Sequence, residues 1–126
     1  MSKVNLATGR LGEEEAVLFL KRNGYKIICR NYRNSLGEID IIAKDREVIC
    51  FVEVKTRGSA DFGYPAESVG RSKQNQIAKA SIVYLKEKNL LDSKARFDVA
   101  SVLHKEGGPE IEIIKNAFIL DERFSL

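Results

Sequence analysis

Apolar positions recur with two different spacings along the 126-residue chain. Between Arg10 and Asn23, Ala16, Val17, Phe19 and Leu20 repeat at helical spacing, which predicts an amphipathic helix. Thr8 or Asn5 is placed to cap it. Glu13, Glu14 and Glu15 crowd its first turns, where the helix dipole favours acids, and Gly24 is placed to end it. The period then shortens. Tyr25–Arg33 reads as a short edge strand. GEIDIIA (Gly37–Ala43) and VICFVEVK (Val48–Lys55) read as a hairpin closed by the polar turn Lys44–Glu47. The second of these strands is apolar at nearly every position until Glu53, the pattern of a central strand buried on both faces. Gly58–Gly70 is rich in Gly, Ser, Asp and Pro and predicts a loop. Ser72–Asn89 returns to helical spacing, with Lys73, Ile77, Ala80 and Tyr84 on one stripe. Ala95–Leu103 and Glu110–Asn116 complete the set as two strands around a Gly107-Gly108-Pro109 turn. The order α-β-β-β-α-β-β predicts an α/β fold, a mixed sheet of about five strands flanked by helices, in a single domain spanning 1–126.

Composition narrows the function classes without choosing one. Hydrophobic residues make up 44% and charged residues 31%, as in soluble globular proteins. No apolar run approaches the length of a membrane span, and MSKVNLATGRLGEEE has no signal-peptide core, so a cytoplasmic protein is expected. Cys29 and Cys50 stand apart in apolar surroundings and read as reduced core thiols. With the single histidine, His104, read as a surface residue, they offer no zinc spacing. A net charge of +3 permits a nucleic-acid partner without demanding one.

The candidate chemistry lies where polar residues break apolar strands. Asp40 interrupts Ile39-Asp40-Ile41-Ile42, and Glu53 interrupts Phe51-Val52-Glu53-Val54, with Lys55 two residues further on. Residues two apart on a strand share a face, about 6.6 Å apart, so Glu53 and Lys55 point the same way, with Asp40 beside them across the hairpin. Burying an ionised carboxylate is unfavourable unless it is paired or bound to a metal. Two acids and one lysine leave a net negative pocket, and a divalent cation removes the difficulty. Hard oxygen ligands suit Mg2+, with Mn2+ able to substitute. Glu13, on the helix face expected to meet the sheet, adds a third acid. Such a site suits phosphodiester hydrolysis, in which Lys55 orients or deprotonates a water or stabilises developing charge. Glu38 is either an extra ligand or a solvated strand-start residue. Asp98 reads as structural, pairing Arg96 or a neighbouring backbone group. No P-loop, Rossmann glycine pattern or Ser-His-Asp arrangement competes.

These residues resemble a known family. GEID, twelve residues, then EVK matches the sheet motif of the PD-(D/E)XK, or restriction-endonuclease-like, nucleases. Gly12-Glu13, GYKIICRNYRNSLGEIDIIA, FVEVKTR and RFDV together resemble the YraN (UPF0102) family over about residues 9 to 103, and more distantly the archaeal Holliday-junction resolvases. The resemblance implies a metal-dependent nuclease fold. In it Asp40 falls at the motif aspartate, Glu53 and Lys55 at the E-x-K motif and Glu13 at the first-helix glutamate. The Val54 carbonyl becomes a further metal ligand, and Lys73 with Gln74 or Gln76 faces the site. Ile39 replaces the proline of the named motif. Likeness to the resolvases also implies a homodimer, with an apolar edge from Ala117–Leu126.

A nuclease needs cations along the phosphate path. Arg10, Arg30, Arg33, Arg57, Arg71 and Lys73 flank the site in sequence. Only Tyr32, Phe62 and Tyr64 could stack on bases, so the pattern favours backbone and shape recognition of branched or duplex DNA. The expected function is a Mg2+-dependent endodeoxyribonuclease. Its rivals are a non-catalytic nucleic-acid-binding module with the same fold and a metal-dependent hydrolase of a smaller phosphate substrate.

Overall fold

The structure is a computed structural model that describes residues 3–58 and 69–118, with side chains from residue 11 onward. Seven elements follow in the expected order: α1 (Lys3–Arg22), β1 (Lys26–Asn34), β2 (Gly37–Asp45), β3 (Val48–Gly58), α2 (Arg71–Glu87), β4 (Ala95–Lys105) and β5 (Gly108–Phe118). The strands form one mixed sheet in sequence order, β1-β2-β3-β4-β5, and only β3 and β4 run parallel. That pair needs a crossover, which α2 supplies. Among the described residues no helix is long and apolar enough to cross a membrane.

The two faces of the sheet bury separate cores. On one, Ile39, Ile42, Phe51 and Val99 pack with Ile77, Ala80 and Tyr84 of α2; on the other, Ile41, Ala43, Val52 and Ala100 pack with Ala16, Val17 and Leu20 of α1. β3 contributes to both, with Ile49 to Val52 each at most 3% exposed, as its unbroken apolar run requires. Cys29 and Cys50 are free thiols.

Helix ends follow local chemistry. Gly24 adopts φ +88°, the Tyr25 N–H bonds the Leu20 carbonyl and the Gly24 N–H bonds that of Lys21, which is a Schellman ending for α1. The start of α1 differs from expectation. The helix begins at Lys3, so Asn5 and Thr8 lie within its span rather than before it, and the three glutamates stand in its middle rather than its first turn. Asn and Thr mimic a cap in the sequence because they favour helix starts. The expected loop falls largely on residues 59–68, outside the described residues, as do Phe62, Tyr64 and residues 119–126 of the expected dimer edge.

Candidate functional site

The pairing of β2 with β3 ends at Ile41↔Val52, one residue short of Asp40. Side-chain alternation breaks at the same place. Ile41 and Ala43 belong to the α1 core, whereas Ile39, which should share their face, joins Ile42 in the α2 core. Asp40 is the residue at the break. Its carboxylate replaces the missing ladder bond by accepting the Val54 N–H at 2.8 Å. A strand residue directs its N–H and C=O to the same side, so the Val54 carbonyl also faces this gap.

Glu53 meets Asp40 here. The Glu53 side chain is 12% exposed, and its pKa is pushed up to about 8. Burial is the main cause. The Asp40 charge follows, then a hydrogen bond with Asp40 that only protonated Glu53 can donate. Lys73 and Lys55 pull the other way without cancelling the effect; Lys73 Nζ is 4.0 Å from Glu53 Oε2. Glu13 comes from the far side. A Cβ added to Gly12 would lie 2.2 Å from Thr56 Oγ1, so α1 touches β3 and sets Glu13 near the gap. Burial first and then the Asp40 charge raise the Glu13 pKa. Both Glu13 Oε1 and Glu53 Oε2 are buried without a hydrogen-bond partner.

The structure therefore brings Asp40, Glu53, Lys55 and Lys73 together and sets Glu13 within electrostatic reach of Asp40. Among the described residues, no three His, Cys, Asp or Glu side chains stand close enough to form a ready metal-holding group. Glu38 pairs with Arg33 at 2.9 Å on the exposed hairpin, so the solvated strand-start reading describes it. Lys73, Gln76, Arg33 and Glu38 line a shallow notch of about 260 Å3 beside the carboxylates. Gln74 turns away, its amide donating to the Val69 carbonyl at 2.8 Å and tying down the start of α2. Arg71 is exposed at the first residue of α2, and Arg57 lies half-buried on β3 in register with Leu103. The Arg10 side chain is outside the described residues.

Asp98 and His104 have other partners. Asp98 is fully buried; it accepts two bonds from Arg96 Nε at 3.0 Å and one from the Asn116 N–H. His104 is half-buried rather than superficial, with Nε2 3.3 Å from Glu15 Oε2, because α1 packs across the end of β4. Sequence reasoning overlooked Asn34. Its side chain accepts the Leu36 N–H and donates to the Ala80 carbonyl, fixing the β1–β2 turn against α2. The signal was an Asn immediately before a short break between two strand patterns, a residue type that bonds backbone two residues on.

The chain belongs to the family described as Uncharacterised protein family UPF0102, which it matches over residues 12–102. Among similar proteins, a UPF0102 protein of Syntrophus aciditrophicus is 51% identical over 116 residues, covering 92% of this chain and 91% of its own length. Another, from Geobacter metallireducens, is 48% identical over 120 residues, covering 95% and 98%.

Proposed function

We propose that this UPF0102 protein is a metal-dependent endonuclease that hydrolyses DNA phosphodiester bonds. The observation that carries the reading is the contact between Asp40 and Glu53, two half-buried acids whose mutual repulsion the neighbouring lysines leave uncancelled. The donor set fits a hard divalent cation such as Mg2+, or Mn2+ in its place. It is all oxygen, it is net negative, and it presents buried oxygens on Glu53 and Glu13 that lack a donor. Asp40, Glu53 and the Val54 carbonyl would hold the ion, with Glu13 completing the set. A bound ion would polarise the scissile phosphate and lower the pKa of a coordinated water.

The chain's own groups supply the rest. Asp40 is held in place by the Val54 N–H, so its second oxygen is oriented before any ligand arrives. Lys55 lies on the face of Glu53 and offers a positive charge to the phosphate or a proton contact to the attacking water. Arg33, Lys73 and Gln76 border the open side, Arg71 begins α2 two residues before Lys73, and Arg57 follows Lys55 towards the end of β3. These residues suit backbone contacts, which position a nucleic acid without reading its bases. DNA is the proposed partner, and a homodimer acting on paired strands is the proposed assembly.

The test is cleavage of labelled four-way junction, flap, single-stranded and duplex DNA with Mg2+ or Mn2+, alongside Asp40→Ala and Glu53→Ala. Metal-dependent cutting that both substitutions abolish is expected. Binding without cutting of any substrate would instead favour the binding-module reading.

A further inference from the structure

The end of the sheet away from Asp40 and Glu53 carries positive charge that the fold does not account for. Beside the carboxylates, Arg33 is taken up by Glu38 and Lys73 by Glu53. At the far end Lys26, Lys44, Arg46 and Lys94 are exposed, and among the described residues none has an ion-pair partner. Glu47 and Asp92, the acids of the two adjoining loops, match only half of this charge. Three of the four cations also act against local stability. Lys26 lies directly opposite Lys44 in the β1–β2 ladder, and like charges so placed repel. A lysine on an edge strand guards against unwanted pairing, but Lys44 stands on β2, inside the sheet. Arg46 and Glu47 form the two-residue turn between Asp45 and Val48. The favoured turns of that length need φ > 0 at the first position, which suits Gly or Asn. Arg46 holds that position at φ +57°. A residue kept in an unfavourable backbone well points to a role outside the fold.

A cleft of about 840 Å3 opens at this end, walled in part by Arg46, Val48, Lys94, Arg96 and Lys115. Asp45 holds Arg96 at 2.9 Å and Lys115 at 3.4 Å, which leaves Arg46 and Lys94 as the cations of its walls without an acid. Val48 is the one apolar side chain in those walls, so the cleft lacks the apolar anchor that a protein partner or a bilayer would use. Tyr25 lies 6.0 Å beneath both Arg96 and Lys115 and is 6% exposed, so its ring offers no face to an unpaired base. Lys26 pairs with Lys44, Lys44 with Ile49, and the Ile49 N–H bonds the Lys94 carbonyl. Three strand spacings therefore set the Lys26 and Lys94 backbones about 14 Å apart, the axial length of about four phosphates on one strand of a duplex.

We infer that this end of the sheet holds the phosphate backbone of duplex DNA, as a second surface separate from the carboxylates. Such contacts neutralise phosphates without reading bases and need no metal. Asp45 stands five residues beyond Asp40, about 17 Å along β2. That is about half a turn of B-DNA, so one duplex can reach both places. The choice of DNA as partner rests on the nuclease reading, whereas the surface requires neither the metal nor the cutting.

A binding measurement separates the two. A fluorescein-labelled duplex is titrated with the full chain in EDTA over a series of NaCl concentrations, and anisotropy reports binding. Wild type is compared with Arg46→Asn plus Lys94→Gln, and with Lys79→Gln plus Lys105→Gln, which removes the same charge elsewhere. The first pair should lower affinity about tenfold at moderate salt and reduce the slope of log K against log salt by about 2, whereas the second should change affinity less than about twofold. Arg46→Asn alone should weaken binding about threefold yet raise the midpoint of thermal unfolding, because Asn accepts the backbone conformation that Arg46 strains. A fall in both would make Arg46 a structural residue and overturn the surface. So would equal slopes for all the proteins, an equal loss with both pairs, or no binding of the wild type to duplex. Tighter wild-type binding to phosphatidylglycerol vesicles or to polyglutamate would overturn DNA as the occupant. A wild type that binds duplex with the expected slope but cuts no DNA in Mg2+ would overturn the nuclease reading alone.

Discussion

Asp98 and Asp40 both stand in apolar strands at interruptions of a β-ladder, and each carboxylate takes a backbone N–H the ladder leaves free. For Asp98 the donor is Asn116, at a bulge of β5; for Asp40 it is Val54, where β2 parts from β3. The difference lies in what else each aspartate meets. Asp98 meets Arg96, whose Nε contacts both carboxylate oxygens and whose Nη2 reaches Asp45 and the Tyr25 hydroxyl. Burial opposes the Arg96 charge, but these acids outweigh it and hold its pKa above the usual value. Asp40 meets another acid. The same device, an aspartate mending a broken ladder, is closed on itself in one place and left with unspent negative charge in the other. A closed cluster needs nothing more to be stable, whereas an open one is arranged for a ligand.

The sharpest way to test this contrast is to remove Asp98. Asp98→Ala leaves a buried guanidinium short of its main partner and strands the Asn116 N–H. It should cost about 3–5 kcal/mol in urea denaturation. A loss below about 1 kcal/mol would show that Asp45 and Tyr25 suffice for Arg96 and that Asp98 is not the closing element. Asp40→Ala should cost far less in metal-free protein, because the Val54 bond it loses is offset by relief of repulsion on Glu53.

Glu53→Gln should move stability in the opposite direction. The folded protein holds a proton on Glu53 up to about pH 8, whereas a carboxyl with the ordinary value of 4.5 releases it much earlier. Between these values the folded state binds the extra proton. The stabilisation it gives is complete below about pH 4.5 and is lost as the pH rises through about 8. Glu53→Gln keeps the neutral shape at every pH. In EDTA at pH 8 and above it should be more stable than the wild type by on the order of 1–3 kcal/mol, with the gap closing towards pH 5. Equal stability of the two proteins across that range would mean that neither burial nor the Asp40 charge holds a proton on Glu53 in solution.

The sequence made one half of this contrast plain. Arg96 and Asp98 are two apart on a strand, so their pairing follows from the pleat alone. Glu53 was equally legible, because a charge in a doubly buried strand has few innocent explanations. The break in alternation at Asp40 was not legible. A period of two places Ile39 with Ile41, and only the parting of β2 from β3 separates them. The start of α1 was missed because Asn5 and Thr8 imitate caps, and Gly9 and Gly12 dilute the helical pattern. Gln74 or Gln76 was expected at the site from the family resemblance, which cannot foresee that the Val69 carbonyl captures the Gln74 amide.

Gly12 tests whether α1 is needed to complete the open cluster. Gly12→Ala places a methyl 2.2 Å from Thr56 Oγ1 and 3.3 Å from Thr56 Cβ, so helix or strand must shift. Overpacking of this kind costs about 1–3 kcal/mol. It should also draw Glu13 away from Asp40 and weaken Mn2+ binding measured by calorimetry. Adding Thr56→Ala removes the hydroxyl in conflict and should restore at least half of both losses. Recovery of stability without recovery of Mn2+ affinity would detach Glu13 from the site.

The smallest effects should come from Glu13 and Glu14, and they divide the comparison most finely because the two are adjacent. Glu14 is 58% exposed and holds Arg30 at 2.7 Å on the outside of the helix. An exposed ion pair contributes about 0.2–1 kcal/mol and weakens with salt. Glu14→Gln should therefore lose a few tenths of a kcal/mol at low ionic strength, nothing at high, and leave Mn2+ affinity unchanged. Glu13 has a buried oxygen without a donor, and burial and the Asp40 charge already raise its pKa. Replacing it with a neutral amide relieves repulsion while changing a buried polar group, so stability should move by less than about 0.5 kcal/mol in either direction. Metal affinity should fall instead. The neighbours thus trade places: one substitution is felt in salt-dependent stability alone, the other in metal binding alone. If Glu13→Gln left Mn2+ affinity intact, the open cluster would consist of Asp40 and Glu53 only.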